Sequence, residues 1–265
     1  MVSCACHRER DVAQPRKSHG PKNGSPRPTT PPTVRTVTPP PDPETPAPEP
    51  PTPEPSAPKD LVRRGYDVVS YAYRADDAED GAYASWIAEL LGRLPGGADV
   101  LDLGCGCGVP VARGLSGAGH AVTGVDLSEV QVERARGLVP RGSFLRADAL
   151  GIGFAAASFD AVVCLYMLIH LPLAEQPVLL SRIAGWLRPG GTLLVVAGHG
   201  AWTGTEEDWL GAGAAVWWSH PGKETYREWI TAAGLFVEGE EFVPEGDGGH
   251  VLFWARKCGE AEGPS

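Results

Sequence analysis

The chain has 265 residues, 26 of them proline, with 23 Lys and Arg against 33 Asp and Glu and a formal net charge of −10. Seventeen of the prolines fall in residues 1–58, which are close to neutral, so the acidic excess sits in the remaining body, long enough for one α/β domain with a sizeable core. An acidic body neutralises phosphates poorly, which argues against a nucleic-acid partner, and its longest apolar run, 161–169, is too short to span a bilayer.

Residues 1–58 repeat Pro with Thr, Glu and Ala and have few apolar side chains. Such a segment cannot bury enough apolar surface to offset chain entropy, so it is expected to be a disordered tail. Cys4, Cys6 and His7 have no second ligand group at metal-site spacing and read as incidental thiols in that tail. Met1 to Arg10 lacks an apolar run of signal-peptide length, and the six cysteines are dispersed rather than framed as disulfides, which reads as a cytoplasmic protein. The folded domain is expected over residues 59–258, with a short disordered end at 259–265.

Within the domain, Leu61 to Arg74 and Ala82 to Leu94 read as helices, the second broken by Pro95, Gly96 and Gly97. Strands and helices then alternate. Val100 to Leu103, Ala121 to Val125, Ser143 to Arg146, Phe159 to Leu165 and Thr192 to Ala197 read as strands. Helices are expected over Val109 to Ser116, Glu129 to Leu138 and Ala174 to Leu187. Ser128 and Gln131 have capping-box spacing, and Pro177 fits a first helical turn. Arg188-Pro-Gly-Gly191 is expected to end the last of these helices. Residues 198–220 read as an irregular, aromatic-rich insertion. Lys223 to Ala233 is a helix, and Leu235 to Val243 and His250 to Lys257 are two strands whose six-residue connection requires them to be antiparallel. The alternation predicts an α/β domain with a doubly wound, mostly parallel sheet and helices on both faces.

Val100-Leu-Asp-Leu-Gly-Cys-Gly-Cys-Gly108 is a strand entering a glycine loop and then a helix. Glycines permit tight turns and close backbone approach to a ligand, and such loops bind nucleotides at the carboxyl ends of strands. Asp126 ends the second strand, where a carboxylate accepts hydrogen bonds from ribose hydroxyls, and Asp148 ends the third, near where an adenine would lie. A dinucleotide fingerprint requires G-x-G-x-x-G; here Val109 occupies the third glycine position, and no second βαβαβ half follows.

Asp102-Leu-Gly-Cys-Gly-Cys-Gly108, Asp126, Asp148-Ala149, Ser158-Phe-Asp-Ala-Val162 and Leu187-Arg-Pro-Gly-Gly191 together resemble the successive motifs of the class I S-adenosylmethionine-dependent methyltransferases, over about residues 60–257. The resemblance implies a Rossmann-like, seven-stranded sheet with its last strand antiparallel, S-adenosylmethionine as cofactor and no metal. It places Gly104 and Gly106 near the methionine part, Asp126 at the ribose, Asp148 with Ala149 at the adenine and Leu165 beneath the cofactor, with Asp102 and Leu127 also in the cofactor site. The segment Gly65 to Arg74, with Tyr66 and Tyr71, is similar to the N-terminal helix that lids the cofactor in small-molecule members. Cys105 and Cys107 depart from the usual loop and read as small fillers or as redox-sensitive thiols.

A hydroxyl acceptor needs its proton removed, most readily by a histidine, whereas a neutral amine needs only positioning. Trp202, Trp209, Trp217 and Trp218 lie in the 198–220 insertion, bracketed by His199 and His220. They wall either an acceptor pocket or a satellite core. His199 and His220 are the first candidates for a base, with His170 and His250 next. The leading function is methyl transfer to O or N of a small molecule. A protein substrate docked through the Pro-rich tail and a non-catalytic cofactor-binding domain are the alternatives. The oligomeric state is open.

Overall fold

The computed structural model describes residues 57–78 and 81–259. The tail through residue 56, with Cys4, Cys6 and His7, and the end from residue 260 lie outside the described residues.

Nine strands and six α-helices are described: α1 Pro58–Tyr73, α2 Tyr83–Arg93, β1 Asp99–Leu103, α3 Val111–Gly117, β2 Ala121–Asp126, α4 Glu129–Leu138, β3 Ser143–Arg146, β4 Phe159–Cys164, α5 Gln176–Trp186, β5 Leu187–Gly198, β6 Trp202–Glu206, β7 Val216–His220, α6 Lys223–Ala232, β8 Leu235–Glu245 and β9 Gly248–Lys257. Seven strands form one sheet in the order β3-β2-β1-β4-β5-β9-β8. The first five are parallel, and β9 runs antiparallel to both β5 and β8. The chain order reverses between β1 and β4, so their carboxyl ends open the crevice in which doubly wound sheets bind ligands.

Both faces of the sheet are apolar, which explains the unbroken apolar runs of the parallel strands. Leu101, Leu103, Val162, Leu193, Val195 and Phe253 point to one side and pack with Leu179, Leu180 and Ile183 of α5 and Ile230 of α6. Their neighbours Val100, Ala161, Val163, Leu194, Val196 and Leu252 point to the other, against Trp86 and Leu90 of α2, Leu115 of α3 and Val132 of α4. The period-2 alternation assigns each residue to its face.

Two sequence expectations are corrected. The insertion at 198–220 is not irregular: β6 and β7 pair antiparallel as a separate two-stranded sheet, Trp202 opposite His220 and Glu206 opposite Val216. These five-residue strands lack apolar alternation, because the ribbon is not a layer of the main core. It packs instead on α1, where a Cβ on Gly65 would lie 2.5 Å from Val216 Cγ2. Arg188 to Gly191 does not separate helix from strand: α5 stops at Trp186 and β5 begins at Leu187. The register to β4 shifts between Phe159 and Ala161, and Arg188 is tied to Asp99 and Asp160.

Among the described residues no helix is long and apolar enough to cross a membrane.

Candidate functional site

A cleft of about 730 Å³, part of it open to solvent, lies at the carboxyl ends of β1, β2 and β4 and is roofed by α1. Gly104, Gly106, Asp126, Leu127, Asp148, Ala149 and Leu165 line it, as does Tyr66. Lys59, Gln131 and Met167, none of them a candidate site residue in the sequence, line it too. A side recess shares Gly104, Gly106, Tyr73, Gln131 and Leu165 with the cleft and adds Asp102 and Tyr83.

The glycine loop is shaped from both sides. Gly104 has φ +71° and a Cβ there would sit 2.4 Å from Met167 Cβ, so only glycine fits. Gly106 is also left-handed, at φ +52°. Its N–H donates to Asp126 Oδ2 at 2.9 Å, and Ser128 N–H donates to Oδ1 at 2.8 Å. Asp126 therefore braces the loop and opens α4, whose first turn is capped by Ser128 Oγ accepting from Gln131 N–H. Burial raises the Asp126 pKa, opposed by these backbone donors. Asp102 Oδ2 is buried with no partner, and burial followed by the nearby Asp126 charge pushes this carboxyl up to about 7. An isolated buried carboxylate is costly, so this corner of the site favours a neutral acid or an incoming cation.

Asp148 is engaged on both oxygens. Leu150 N–H donates to Oδ1 and Lys59 Nζ donates to Oδ2 at 2.7 Å, and Lys59 also pairs with Glu175 at 2.9 Å. Burial works against ionisation of Asp148, but the Lys59 hydrogen bond and the Leu150 N–H hold its pKa below the usual value. Lys59 thus ties the start of α1 to the third strand's end. Farther along, Asp67 accepts from Ser128 Oγ, Ser70 Oγ donates to Gln131, and Arg134 donates to the Ser70 carbonyl.

The far end of the cleft is aromatic. Tyr66 packs edge-on with Tyr73, His170 and Trp209 at centroid distances of 5.5, 5.3 and 5.2 Å. Trp209 meets Trp218, which meets His170. Trp209 and Trp218 therefore pack together behind the cleft wall. Tyr166 lines the cleft with φ +62°, a conformation that costs a bulky residue about 1–3 kcal/mol, and packs against His250 and Tyr83.

The four candidate histidines separate. His170 lines the cleft and is buried; Nδ1–H donates to the Trp217 carbonyl at 2.8 Å, so Nε2 accepts from the Tyr66 hydroxyl at 2.9 Å. Burial pushes its pKa down to about 4. His220 donates from Nδ1 to the Gly200 carbonyl, and burial lowers its pKa. His199 is exposed, stacks edge-on with Phe242 and is absent from the cleft lining. His250 is mostly buried and donates from Nε2 to Glu245 Oε2 at 2.9 Å. Tyr71 is 62% exposed and faces Arg134 rather than the cleft. Cys105 and Cys107 are both buried, and burial pushes the Cys105 thiol well above its ordinary pKa, which disfavours a reactive thiolate there.

Residues 100–191 match the family model described as a methyltransferase domain. The chain is 36% identical over 141 residues to the methyltransferase GfsG of Streptomyces halstedii, covering 49% of this chain and 50% of that protein. It is 38% identical over 112 residues to the 27-O-demethylrifamycin SV methyltransferase of Amycolatopsis mediterranei (strain S699), covering 39% and 40%. The chain thus spans half or less of these curated relatives. Among solved structures, the magnesium protoporphyrin IX methyltransferase of Synechocystis PCC 6803, with bound S-adenosylmethionine, shares the fold at a TM-score of 0.60 and 20% identity, over 78% of this chain and 100% of that one.

Proposed function

We propose that the protein is a class I S-adenosylmethionine-dependent methyltransferase that transfers a methyl group to an oxygen or nitrogen of a small molecule, a reading supported by the match of residues 100–191 to a methyltransferase-domain model. The observation that carries this reading is the cleft, glycine-lined and acid-lined at one end and walled by aromatic rings at the other.

The residues present fit the cofactor. Gly104 and Gly106 leave room for close approach, and the unpartnered Asp102 Oδ2 beside them suits a cationic group. Asp126 and Leu127 stand where a ribose lies, Asp148 and Ala149 where an adenine lies, and Leu165 forms the floor. When bound, the cofactor supplies an electrophilic methyl on a positively charged sulfur. The protein's part is to hold an acceptor atom in line with that methyl and to exclude water. Lys59 and Tyr66 of α1 roof the cleft, and α1 rests on β7 and α4. Tyr66, Tyr73 and Tyr166 give that end an apolar surface with hydroxyl tips, which favours a small, partly aromatic acceptor over a nucleic acid.

Calorimetry with S-adenosylmethionine tests the first half of the reading. Asp126→Ala removes a charged acceptor worth about 1.5–3 kcal/mol and is expected to weaken binding about ten- to a hundredfold. Tight binding of NAD by the wild type in place of S-adenosylmethionine would overturn it. The second half is tested by turnover of methyl-labelled donor against a metabolite panel; product on a peptide or protein fraction alone would overturn the small-molecule assignment.

A further inference from the structure

The two-stranded insertion sets the polarity of one group in the cleft wall. A ribbon of two strands leaves alternate carbonyls of each outer edge outside its ladder. On β7 these are Trp217, which accepts from His170 Nδ1 at 2.8 Å, and Ser219, which accepts from Gln176 Nε2 at 2.6 Å. A carbonyl only accepts, so the Trp217 contact fixes the hydrogen of His170 on Nδ1. The ring is buried against neutral groups, edge-on to Tyr66 and tilted on Trp218, and burial holds its pKa down to about 4. At neutral pH Nε2 therefore carries a lone pair. Tyr66 must spend its one hydroxyl hydrogen on that lone pair, across 2.9 Å. What Tyr66 then offers to a molecule in the cleft it lines is the lone pairs of its oxygen.

The electrostatics point the same way. Burial, then Tyr73, Asp126, Tyr83 and Glu245, hold the Tyr66 pKa well above its ordinary value, so the hydroxyl keeps its hydrogen. Lys59, which lines the same cleft, is already paired with Asp148 and Glu175. A ligand carbonyl or carboxylate set against Tyr66 would bring lone pairs against lone pairs, with a net acidic surrounding. We infer that Tyr66, locked by His170 and the Trp217 carbonyl, selects the acceptor molecule by polarity: the molecule presents an N–H or O–H donor to the Tyr66 oxygen, and one that offers only a carbonyl or carboxylate there is excluded. The substrate class is accordingly an alcohol, a phenol, an amine or an N–H heterocycle. Tyr66 acts as a specificity residue and His170 as the residue that positions its hydroxyl. The inference rests on the methyl-transfer reading of the same cleft.

Three bicyclic probes of similar shape read this polarity. Indole offers an N–H, 1-indanone a carbonyl, and benzofuran only a weak ether oxygen. Calorimetry is run on the full chain saturated with S-adenosylhomocysteine, the demethylated product. Indole is expected to bind wild type about three- to tenfold more tightly than benzofuran, the effect of one hydrogen bond, and 1-indanone no more tightly than benzofuran. Tyr66→Phe keeps the ring and is expected to bring indole within about twofold of benzofuran, with S-adenosylhomocysteine affinity little changed. His170→Gln sets an amide that can donate as well as accept against the hydroxyl. It is expected to let 1-indanone bind about threefold better than benzofuran, a gain that loss of packing alone does not give. Equal wild-type affinities for indole and benzofuran, or tighter binding of 1-indanone, would overturn the inference whether or not the variants fold. An indole preference that survives in Tyr66→Phe would do the same. Binding of none of the probes by a protein that holds S-adenosylhomocysteine also overturns it. So does a Tyr66→Phe loss confined to S-adenosylhomocysteine, which would assign the donor to the cofactor. Failure of wild type to bind S-adenosylmethionine or S-adenosylhomocysteine would instead overturn the methyltransferase reading.

Discussion

Replacing Asp102 with Asn is expected to make the free protein more stable at neutral pH while weakening its cofactor site. Asp102 is buried, its Oδ2 has no partner, and burial with the neighbouring Asp126 charge pushes its pKa from the ordinary carboxylate range up to about 7. A raised carboxyl pKa means that the native state binds this proton more tightly than the unfolded chain does. The associated stability is fully present below about pH 4 and is lost as pH rises towards 7. The shift corresponds to roughly 4 kcal/mol, reached above pH 7. Asn resembles the protonated acid at every pH. Melting curves of wild type and Asp102→Asn without ligand are therefore expected to coincide near pH 4 and to diverge as pH rises. By pH 8 the variant should melt about 8–16 °C higher, at about 2–4 °C per kcal/mol for a domain of this size. Calorimetry on the same variant is expected to show weaker S-adenosylmethionine binding, because the carboxylate opposite the cationic donor is gone. Parallel melting curves across pH 4–8, or a variant less stable than wild type at pH 8, would refute the reasoning.

Gly104→Ala is expected to abolish S-adenosylmethionine binding by calorimetry and to lower the melting temperature, since its Cβ would meet Met167 at 2.4 Å on a left-handed backbone. Tyr66→Phe leaves His170 Nε2 buried without a donor, a cost of about 1–3 kcal/mol readable by urea denaturation. His170, held down to about 4 by burial, contributes stability that is complete above the ordinary histidine value and is lost as pH falls towards 4; denaturation of His170→Gln should show a flatter dependence over that range. A chain starting at Ser56 is expected to keep the melting temperature and cofactor affinity of the full chain. A start at Lys59 should lose some of both, because the Ala57 carbonyl accepts from Asp60 and Leu61 in the first turn of α1.

Much of this protein was legible in its sequence because the signals are local. Short apolar runs gave β1, β2 and β4, and the Ser128–Gln131 spacing gave the start of α4, whose cap has the expected bond. The run from Asp102 to Gly108, with Asp126 and Asp148 at successive strand ends, located the cleft because a parallel sheet brings all its carboxyl ends to one edge. What the sequence could not rank was which side chains share the far end. Tyr66 meets His170 across 104 positions and Lys59 meets Asp148 across 89, and no periodicity encodes such pairs. Tyr71 has the same composition signal as Tyr66 but lies on the outer side of α1, a difference set only by how that helix seats on α4 and β7. The ribbon of β6 and β7 was missed because it packs on a helix rather than in the main sheet, so its residues escape the alternation that burial imposes. Four histidines looked alike in one dimension. Tertiary packing alone engaged both nitrogens of His170, exposed His199, turned Nδ1 of His220 to a carbonyl, and left one nitrogen of His250 unpaired beside a carboxylate. A histidine's chemistry depends on what its two nitrogens touch, and those contacts exist only once distant strands have met.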